Sequence, residues 1–120
     1  MNIIIVDDNS EFRDAFKFML QEKLNDKYDN LYEAENGEEC LNIVRKHSVD
    51  IVFMDKQMPV MDGVHATKRI VDQYRNIKVI AVSFHSELDD IKAMLEAGAR
   101  NYIIKEEISP EIVLKCINIS

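Results

Sequence analysis

The stretch Ile51-Val52-Phe53-Met54-Asp55 decides the fold of this chain. Four apolar residues run directly into a carboxylate, which is typical of a strand buried on both faces of a parallel sheet. Pro59 and Gly63 mark the segment that follows as a loop. Asp55 therefore comes where a buried strand ends, and ligands bind at that edge of open α/β sheets. A carboxylate there is paired, metal-bound or reactive, because an unpaired buried charge is too costly.

Apolar runs alternate with amphipathic segments along the whole chain. The predicted strands are residues 3–6, 31–34, 51–54, 77–82 and 102–104. The predicted helix 1 begins after a cap at Asn9 or Ser10, and its apolar face contains Phe12, Ala15, Phe16, Met19, Leu20 and Leu24. Helix 2 is predicted over 38–47. Helix 3 follows Gly63 with an inner stripe of Thr67, Ile70, Val71 and Tyr74.

Helix 4 is predicted from about residue 87 to residue 97, with Leu88, Ile91 and Leu95 facing inward. Gly98 follows as a left-handed stop. Helix 5 opens at Ser109-Pro110-Glu111, a cap followed by a first-turn proline and an acid. Five strands alternating with five helices predict a flavodoxin-like (βα)5 sandwich of three layers. Its parallel sheet has the order 2-1-3-4-5, and residues 1–120 form a single domain.

Composition narrows the class of protein. The chain is 47% hydrophobic and 31% charged, as in ordinary globular domains, and its formal net charge is −7. That charge argues against direct binding to nucleic acid. No apolar run approaches the roughly 18 residues of a membrane span, and residues 1–8 lack the basic start of a signal peptide. Cys40 and Cys116 are expected to be reduced core residues. These features predict a cytoplasmic protein without membrane contact.

The predicted strand ends carry a set of polar residues. They are Asp7, Asp8, Asp55, Ser83 and Lys105. The strand order makes these ends neighbours, and three carboxylates with one ammonium leave a formal charge of −2. Oxygen ligands of this kind select a hard divalent cation, Mg²⁺ or Mn²⁺. With a phosphoryl group added, Asp55 is the candidate nucleophile, Lys105 the charge partner and Ser83 a hydroxyl donor.

The same residues belong to a pattern that covers essentially the whole chain. Its pieces are Ile4-Ile5-Val6-Asp7-Asp8, Asp55-x-x-Met58-Pro59-x-Met61-Asp62-Gly63, Val82-Ser83, Ala97-Gly98-Ala99 and Tyr102-Ile103-Ile104-Lys105. In combination the chain resembles a receiver domain of a two-component response regulator. The resemblance implies that Asp55 accepts phosphate from a partner histidine kinase. It also implies that Asp7, Asp8, Asp55 and the backbone carbonyl of Gln57 surround Mg²⁺, and that Ser83 and Tyr102 are switch residues.

Three positions depart from the family pattern. Phe84 stands where a small residue is usual, Lys56 where an apolar residue is usual, and Glu106 where a proline in a cis peptide is usual. Lys56 and Phe84 are expected to control access to the phosphate, and Phe84 to slow its hydrolysis. Because a cis bond before a residue other than proline costs about 2.5–4 kcal/mol, we expect a trans Lys105–Glu106 peptide.

The stretch Val82-Ser83-Phe84-His85-Ser86-Glu87 resembles a subgroup that usually carries a C-terminal helix-turn-helix DNA-binding domain. No such domain is expected within residues 1–120, so the chain is either a piece of a transcription regulator or a stand-alone receiver. The resemblance implies a partner surface formed by helix 4, strand 5 and helix 5, which takes an effector domain or a second protomer. Self-phosphorylation and self-dephosphorylation are the only reactions expected.

Three other functions remain in competition. An aspartate-nucleophile phosphatase needs a second acid two residues after the nucleophile, where this chain has Gln57. A flavin-binding electron carrier needs a hydroxyl- and glycine-rich loop after strand 1, where Asp7 and Asp8 would repel a phosphate. A degenerate receiver would work through protein contacts alone, yet all five edge residues are present.

Overall fold

Five strands and five helices alternate along residues 1–25 and 27–118, which are the residues that this computed structural model describes. Strands β1 to β5 are Asn2–Val6, Asn30–Ala34, Ile51–Met54, Lys78–Ser83 and Asn101–Ile104. Helices α1 to α5 are Ser10–Leu24, Gly37–Lys46, Gly63–Gln73, Leu88–Ala97 and Pro110–Asn118, and a 3-10 turn at Lys105–Glu107 follows β5. Asp26, Ile119 and Ser120, which the predicted domain includes, lie outside the described residues.

The strands form one parallel sheet in the order β2-β1-β3-β4-β5, so the predicted fold class and strand order are confirmed. Val6 pairs with both Ala34 and Met54. The ladder continues past the strand ends, because the Asp55 amide donates to the Val6 carbonyl at 3.0 Å. This register sets Asp7 and Asp55 side by side at the carboxyl edge of the sheet.

Alternate residues of the central strands enter two separate cores. Ile4, Val52 and Val79 pack with α2, α3 and α4, whereas Ile3, Phe53 and Ile80 pack with α1 and α5. Both faces of β1, β3 and β4 are therefore apolar, as expected of strands covered by helices on both sides. Cys40 lies in the first core and Cys116 in the second, and both are free. The two thiols therefore lie on opposite sides of the sheet.

Side-chain caps explain where the helices begin. Asn9, and not Ser10, accepts the Phe12 amide at 3.1 Å and caps α1. Asn36 accepts the Glu39 amide in the same way, so α2 begins at Gly37 and ends at Lys46, each one residue earlier than predicted. Gly98 adopts φ 118° at the end of α4, which confirms the predicted left-handed stop.

The predicted inner face of α4 is wrong at two positions. Leu88 is 77% exposed and Leu95 is 44% exposed, whereas Met94 is fully buried. At 100° per residue, Leu88 and Leu95 share a flank that lies about 100° from Met94 around the helix axis. Helix α4 therefore has two apolar stripes. The stripe with Met94 packs in the core, and the stripe with Leu88 and Leu95 faces solvent. Ala15 on α1 is also exposed, against prediction.

Two further predictions concern the peptide bond between Lys105 and Glu106 and the lack of a membrane-spanning segment, and both can be compared with the described residues. Every peptide bond recorded among them is trans, including Lys105–Glu106, as expected. The described helices are too short or too polar to cross a bilayer.

Val60, in the loop between β3 and α3, has φ 68°, a left-handed conformation that β-branched residues rarely adopt. Its side chain is 83% exposed and supplies little packing in return. We expect Val60→Asn to increase the free energy of unfolding by about 1 kcal/mol, because asparagine tolerates this conformation better. Urea denaturation measures the change. Val60→Ala, which retains a Cβ atom without the branch, should gain less, and a loss of stability in the asparagine variant would contradict the strain.

Candidate functional site

Three carboxylates meet at the carboxyl edge of the sheet. One oxygen from each of Asp7, Asp8 and Asp55 lies within 4.8 Å of the other two. Asp7 and Asp55 are buried, and Asp8 is exposed to solvent. β1 supplies the first two and β3 the third, and the shared register of these two strands brings them together. The donor set consists of oxygen alone, which suits a hard divalent cation such as Mg²⁺ or Mn²⁺.

Lys105 delivers the opposing charge from the end of β5. Its ammonium lies 2.5 Å from Asp7 Oδ2 and 3.8 Å from Asp55 Oδ2. The lysine side chain is 5% exposed and the Asp7 side chain 2%, so the ion pair is almost completely withdrawn from water. The sequence-based prediction that Asp7, Asp8, Asp55 and Lys105 converge is therefore matched by their positions.

Asp7 is held from several directions. Its Oδ1 accepts the Asn9 amide at 2.9 Å, and its carbonyl accepts Nη1 of Arg13 at 2.5 Å. Arg13 is buried, and its Nε donates to Glu33 on β2 at 3.1 Å. Sequence reasoning missed this arginine. The available signal was a single cation between Phe12 and Phe16, the apolar residues of the first turns of helix 1, five residues after the acidic pair Asp7-Asp8.

The environment of Asp55 disfavours the charged form of its carboxylate. Burial, reinforced by the Asp7 charge, raises its pKa from 3.8 to about 6, although Lys105 and the Lys56 amide oppose the shift. A group of this kind is a candidate functional residue, because structural carboxylates are normally paired well enough to keep a low pKa. Above its pKa the side chain is an anion with little solvation, which favours reaction with an electrophile or a cation.

The start of α3 fixes the position of Asp55. The Gly63 amide donates to the Lys56 carbonyl at 2.8 Å, and a Cβ atom on Gly63 would lie only 1.9 Å from the Asp55 carbonyl oxygen. Only glycine permits this approach. Among the described residues, no backbone or side-chain donor is hydrogen-bonded to the carbonyl of Gln57, so that oxygen is free for another ligand.

Lys56 forms its ion pair outside the cluster of Asp7, Asp8 and Asp55. Its ammonium lies 3.0 Å from Asp90 on α4, and both side chains are about one-fifth exposed. The ion pair connects the residue after Asp55 with the first turn of α4. Ion pairs in contact with solvent are typically worth about 0.2–1 kcal/mol. Phe84, the other residue expected near the phosphate, is 59% exposed and its ring lies 4.9 Å from the Lys105 ammonium.

The side chains of Ser83 and Tyr102 both form hydrogen bonds with the backbone of His85. The Ser83 hydroxyl accepts the His85 amide at 3.2 Å, and the Tyr102 hydroxyl donates to the His85 carbonyl at 2.6 Å. Ser83 is fully buried and Tyr102 half-buried, and burial raises the pKa of the tyrosine. Ser83 is an acceptor in its contact with His85, so that contact does not use the hydroxyl proton. The nearby Ser83 hydroxyl opposes the upward shift of the Tyr102 pKa.

One further aromatic residue reaches the site. The ring of Phe12 lies 4.1 Å from the Lys105 ammonium, measured to the ring centroid. Sequence reasoning assigned Phe12 to the apolar face of helix 1 and missed this contact. Its proximity to Lys105 is a tertiary contact, because Lys105 comes from the far end of the chain, directly after β5.

The fold and the site together define a class of protein. It is a doubly wound parallel α/β domain with an acidic oxygen site and a buried lysine at its carboxyl edge. Residues 3–117 match the family model described as the response regulator receiver domain, and the chain therefore belongs to that family. The predicted family is thus confirmed.

Individual relatives agree with this family. The transcriptional regulatory protein DegU of Brevibacillus brevis is 31% identical over 106 residues, which are 88% of this chain and 44% of the relative. A solved CheX-CheY-BeF3-Mg complex of Borrelia burgdorferi matches with TM-score 0.85 and 27% identity over 98% of this chain and 86% of the other. A DNA-binding response regulator of the LuxR family from Staphylococcus aureus matches with TM-score 0.84 and 27% identity, covering 98% and 95%. The chain spans about half the length of the curated relatives it matches.

The raised pKa of Asp55 has a consequence for stability. As the pH rises from 3.8 to about 6, the unfolded chain releases the Asp55 proton before the folded chain does, so stability falls across that window. In the presence of a chelator, we expect Asp55→Asn to be more stable than the parent at pH 7.5 by roughly 1–3 kcal/mol, and equal to it near pH 4. Urea denaturation at the two pH values measures this. Asp14→Asn, which removes an exposed carboxylate of α1, is the control and should change little at either pH.

Proposed function

We propose that Asp55 of this receiver domain is the phosphoacceptor for a partner histidine kinase. The supporting observation is the convergence of a buried, raised-pKa Asp55 with Asp7, Asp8 and Lys105 at one sheet edge. In the proposed reaction an Asp55 oxygen attacks the phosphorus of the kinase phosphohistidine. The P–N bond breaks, its electron pair stays on the imidazole nitrogen, and an aspartyl phosphate forms on Asp55.

Each neighbour of Asp55 has a role in that step. Lys105, 3.8 Å from Asp55 Oδ2, is close enough to pair with an oxygen of the incoming phosphoryl group. Ser83 donates its hydroxyl proton to a second oxygen. Asp7, Asp8, Asp55 and the carbonyl of Gln57 would hold Mg²⁺ or Mn²⁺, which neutralises charge on the transferring group. Bound at Asp7, the cation would also release Lys105 from its shortest contact.

We propose a receiver that modifies only itself. Hydrolysis of the aspartyl phosphate by water returns Asp55 to its starting state. The competing phosphatase function requires an acid two residues after the nucleophile, and the exposed Gln57 is neutral there. Its amide cannot act as a general base, so no specific observation favours that alternative.

We propose that the conformational change caused by phosphorylation of Asp55 reaches α4 through His85. A phosphoryl group gives Ser83 a charge-assisted acceptor, worth roughly 1.5–3 kcal/mol. Movement of Ser83 then pulls on the His85 amide, and Tyr102 holds the carbonyl of the same residue. Tyr102 already lies against this loop, so phosphorylation would stabilise or shift an existing contact. The Lys56–Asp90 pair connects the same helix with the residue after Asp55.

The output surface is proposed to be the face formed by α4, β5 and α5. Leu88 and Leu95 on α4 and Ile112 on α5 are large apolar residues exposed on these elements. Their partner would be an effector domain outside residues 1–120 or a second copy of this chain. Relatives of about twice the length that are transcriptional regulatory proteins favour a cytoplasmic transcription regulator of which these residues form the receiver domain. This chain itself would not contact nucleic acid.

The direct test is the intact mass after incubation with Mg²⁺ and a small acyl phosphate donor. We expect one added phosphoryl group, lost in Asp55→Asn and strongly reduced without divalent cation. Asp14→Asn, with a carboxylate removed from the exposed side of α1, is the control and should be phosphorylated like the parent. An equal mass gain in Asp55→Asn would refute the assignment of the acceptor.

Ser83→Ala tests the switch. The variant should still accept phosphate at Asp55 but respond weakly to it, because the His85 amide no longer follows the phosphoryl group. The readout is the change in α4 amide chemical shifts between free and fully phosphorylated protein. We expect the change at Leu88–Ala97 to fall severalfold relative to the parent. Equal changes in both proteins would exclude the route through Ser83.

A further inference from the structure

The Lys105 ammonium lies over two aromatic rings as well as beside two carboxylates. The centroid of Phe12 is 4.1 Å away and that of Phe84 is 4.9 Å away. Both distances are within the range of cation–π attraction, about 6 Å. The lysine side chain is 5% exposed, so water contributes little to the solvation of the ammonium and the rings take a larger share.

The two rings differ in how firmly they are held. Phe12 stands in the first turn of α1, where the Asn9 cap binds its amide, and its ring stacks on Phe16 at 5.6 Å. Phe16 in turn meets the edge of Phe53 at 4.8 Å. Phe53 lies on β3, two residues before Asp55. Phe12 is thus connected through the core to the strand that carries Asp55, whereas Phe84 is mostly exposed.

A ring face attracts an ammonium without using any of its hydrogens. Lys105 can therefore exchange one oxygen partner for another while it stays against Phe12. The proposed function requires such an exchange, because a cation bound at Asp7 competes with the 2.5 Å contact to Lys105. The released ammonium would otherwise be free to leave toward solvent. Against Phe12 it stays within reach of Asp55, at present 3.8 Å away.

We propose that Phe12 is a positioning residue for phosphoryl transfer, which holds the Lys105 ammonium at Asp55 after its contact with Asp7 is lost. Phe84 supplies a second, outer ring face for the same ammonium. This proposal rests on the proposed function of Asp55. It assigns to Phe12 a role that an ordinary core residue on the apolar face of α1 would not have.

Phe12→Leu tests the proposal, because leucine retains an apolar side chain and lacks a ring. We expect the maximal phosphorylation rate at saturating Mg²⁺ and acyl phosphate donor to fall about three- to tenfold. The Mg²⁺ concentration for half-maximal rate should stay within about twofold of the parent value, since Phe12 is not a ligand. Phe12→Tyr retains the ring and should stay within about twofold of the parent rate.

Phe18→Leu is the matched control. Phe18 is on the same helix, is 65% exposed, and has no recorded cation–π contact with Lys105 among the described residues. Its rate should equal that of the parent. A parent-like rate in Phe12→Leu, or an equal loss in Phe12→Leu and Phe12→Tyr, would overturn the proposal.

A second readout does not depend on phosphorylation. Two ring faces should shift the Lys105 Hε resonances upfield, and the shift should shrink in Phe12→Leu but persist in Phe12→Tyr. If the parent is not phosphorylated at all, the proposed function fails, and an unchanged Hε resonance in Phe12→Leu would refute the ring contact separately. Should Phe12→Leu not fold, the exposed Phe84→Leu replaces it, and it should lower the rate about twofold and reduce the Hε shift. A parent-like rate and shift in Phe84→Leu would then overturn the proposal.

Discussion

The ion pair between Lys105 and Asp7 is the interaction on which the carboxyl edge of this sheet depends. Its partners are 98 residues apart in sequence and come from β5 and from the end of β1, two strands that are not neighbours. The lysine therefore reaches across the ends of β4 and β3 and passes beside Asp55. Removal of either partner would leave a buried charge without compensation, at a cost of about 3–5 kcal/mol. The sheet edge is held together by the same charges that are available for chemistry.

Asp55 is the residue that this arrangement leaves poorly satisfied. Its nearest cation is at 3.8 Å, because Lys105 lies closer to Asp7, and the Asp7 charge opposes its ionisation. A site with three carboxylates and one ammonium is balanced only when further positive charge arrives. The loop that contains strained Val60 and the close approach of Gly63 hold Asp55 at this position. The fold thus tolerates local strain and repulsion at the place where ligands bind in sheets of this kind.

Much of this arrangement could be predicted from the sequence, because strand ends in a parallel sheet need no side-chain detail. Alternation and right-handed crossovers place the carboxyl ends of all strands at one edge, and the flavodoxin-like order then makes Asp7, Asp55 and Lys105 converge there. The inner face of α4 could not be read in the same way, since Leu88 and Met94 lie on two apolar stripes of similar strength. Packing decides between such stripes. The contact of the Phe12 ring was missed because helical periodicity already explains Phe12 as a core residue. Arg13 was missed because it lies outside the predicted apolar face, and only its tertiary contacts bury it.

The backbone of His85 connects the site with α4, because Ser83 and Tyr102 both form hydrogen bonds with it. His85 gives its amide to Ser83 and its carbonyl to Tyr102, so neither side chain can move without affecting the residue that leads into α4. Lys56, next to Asp55, is paired with Asp90 in the first turn of that helix. Both connections end where α4 begins, and Leu88 is exposed in the same turn. A change of about 1.5–3 kcal/mol at Ser83 can alter a population by roughly ten- to a hundredfold. In the proposed switch, shared backbone contacts of this kind would let a small charge change at Asp55 reach an apolar surface without rearrangement of the sheet.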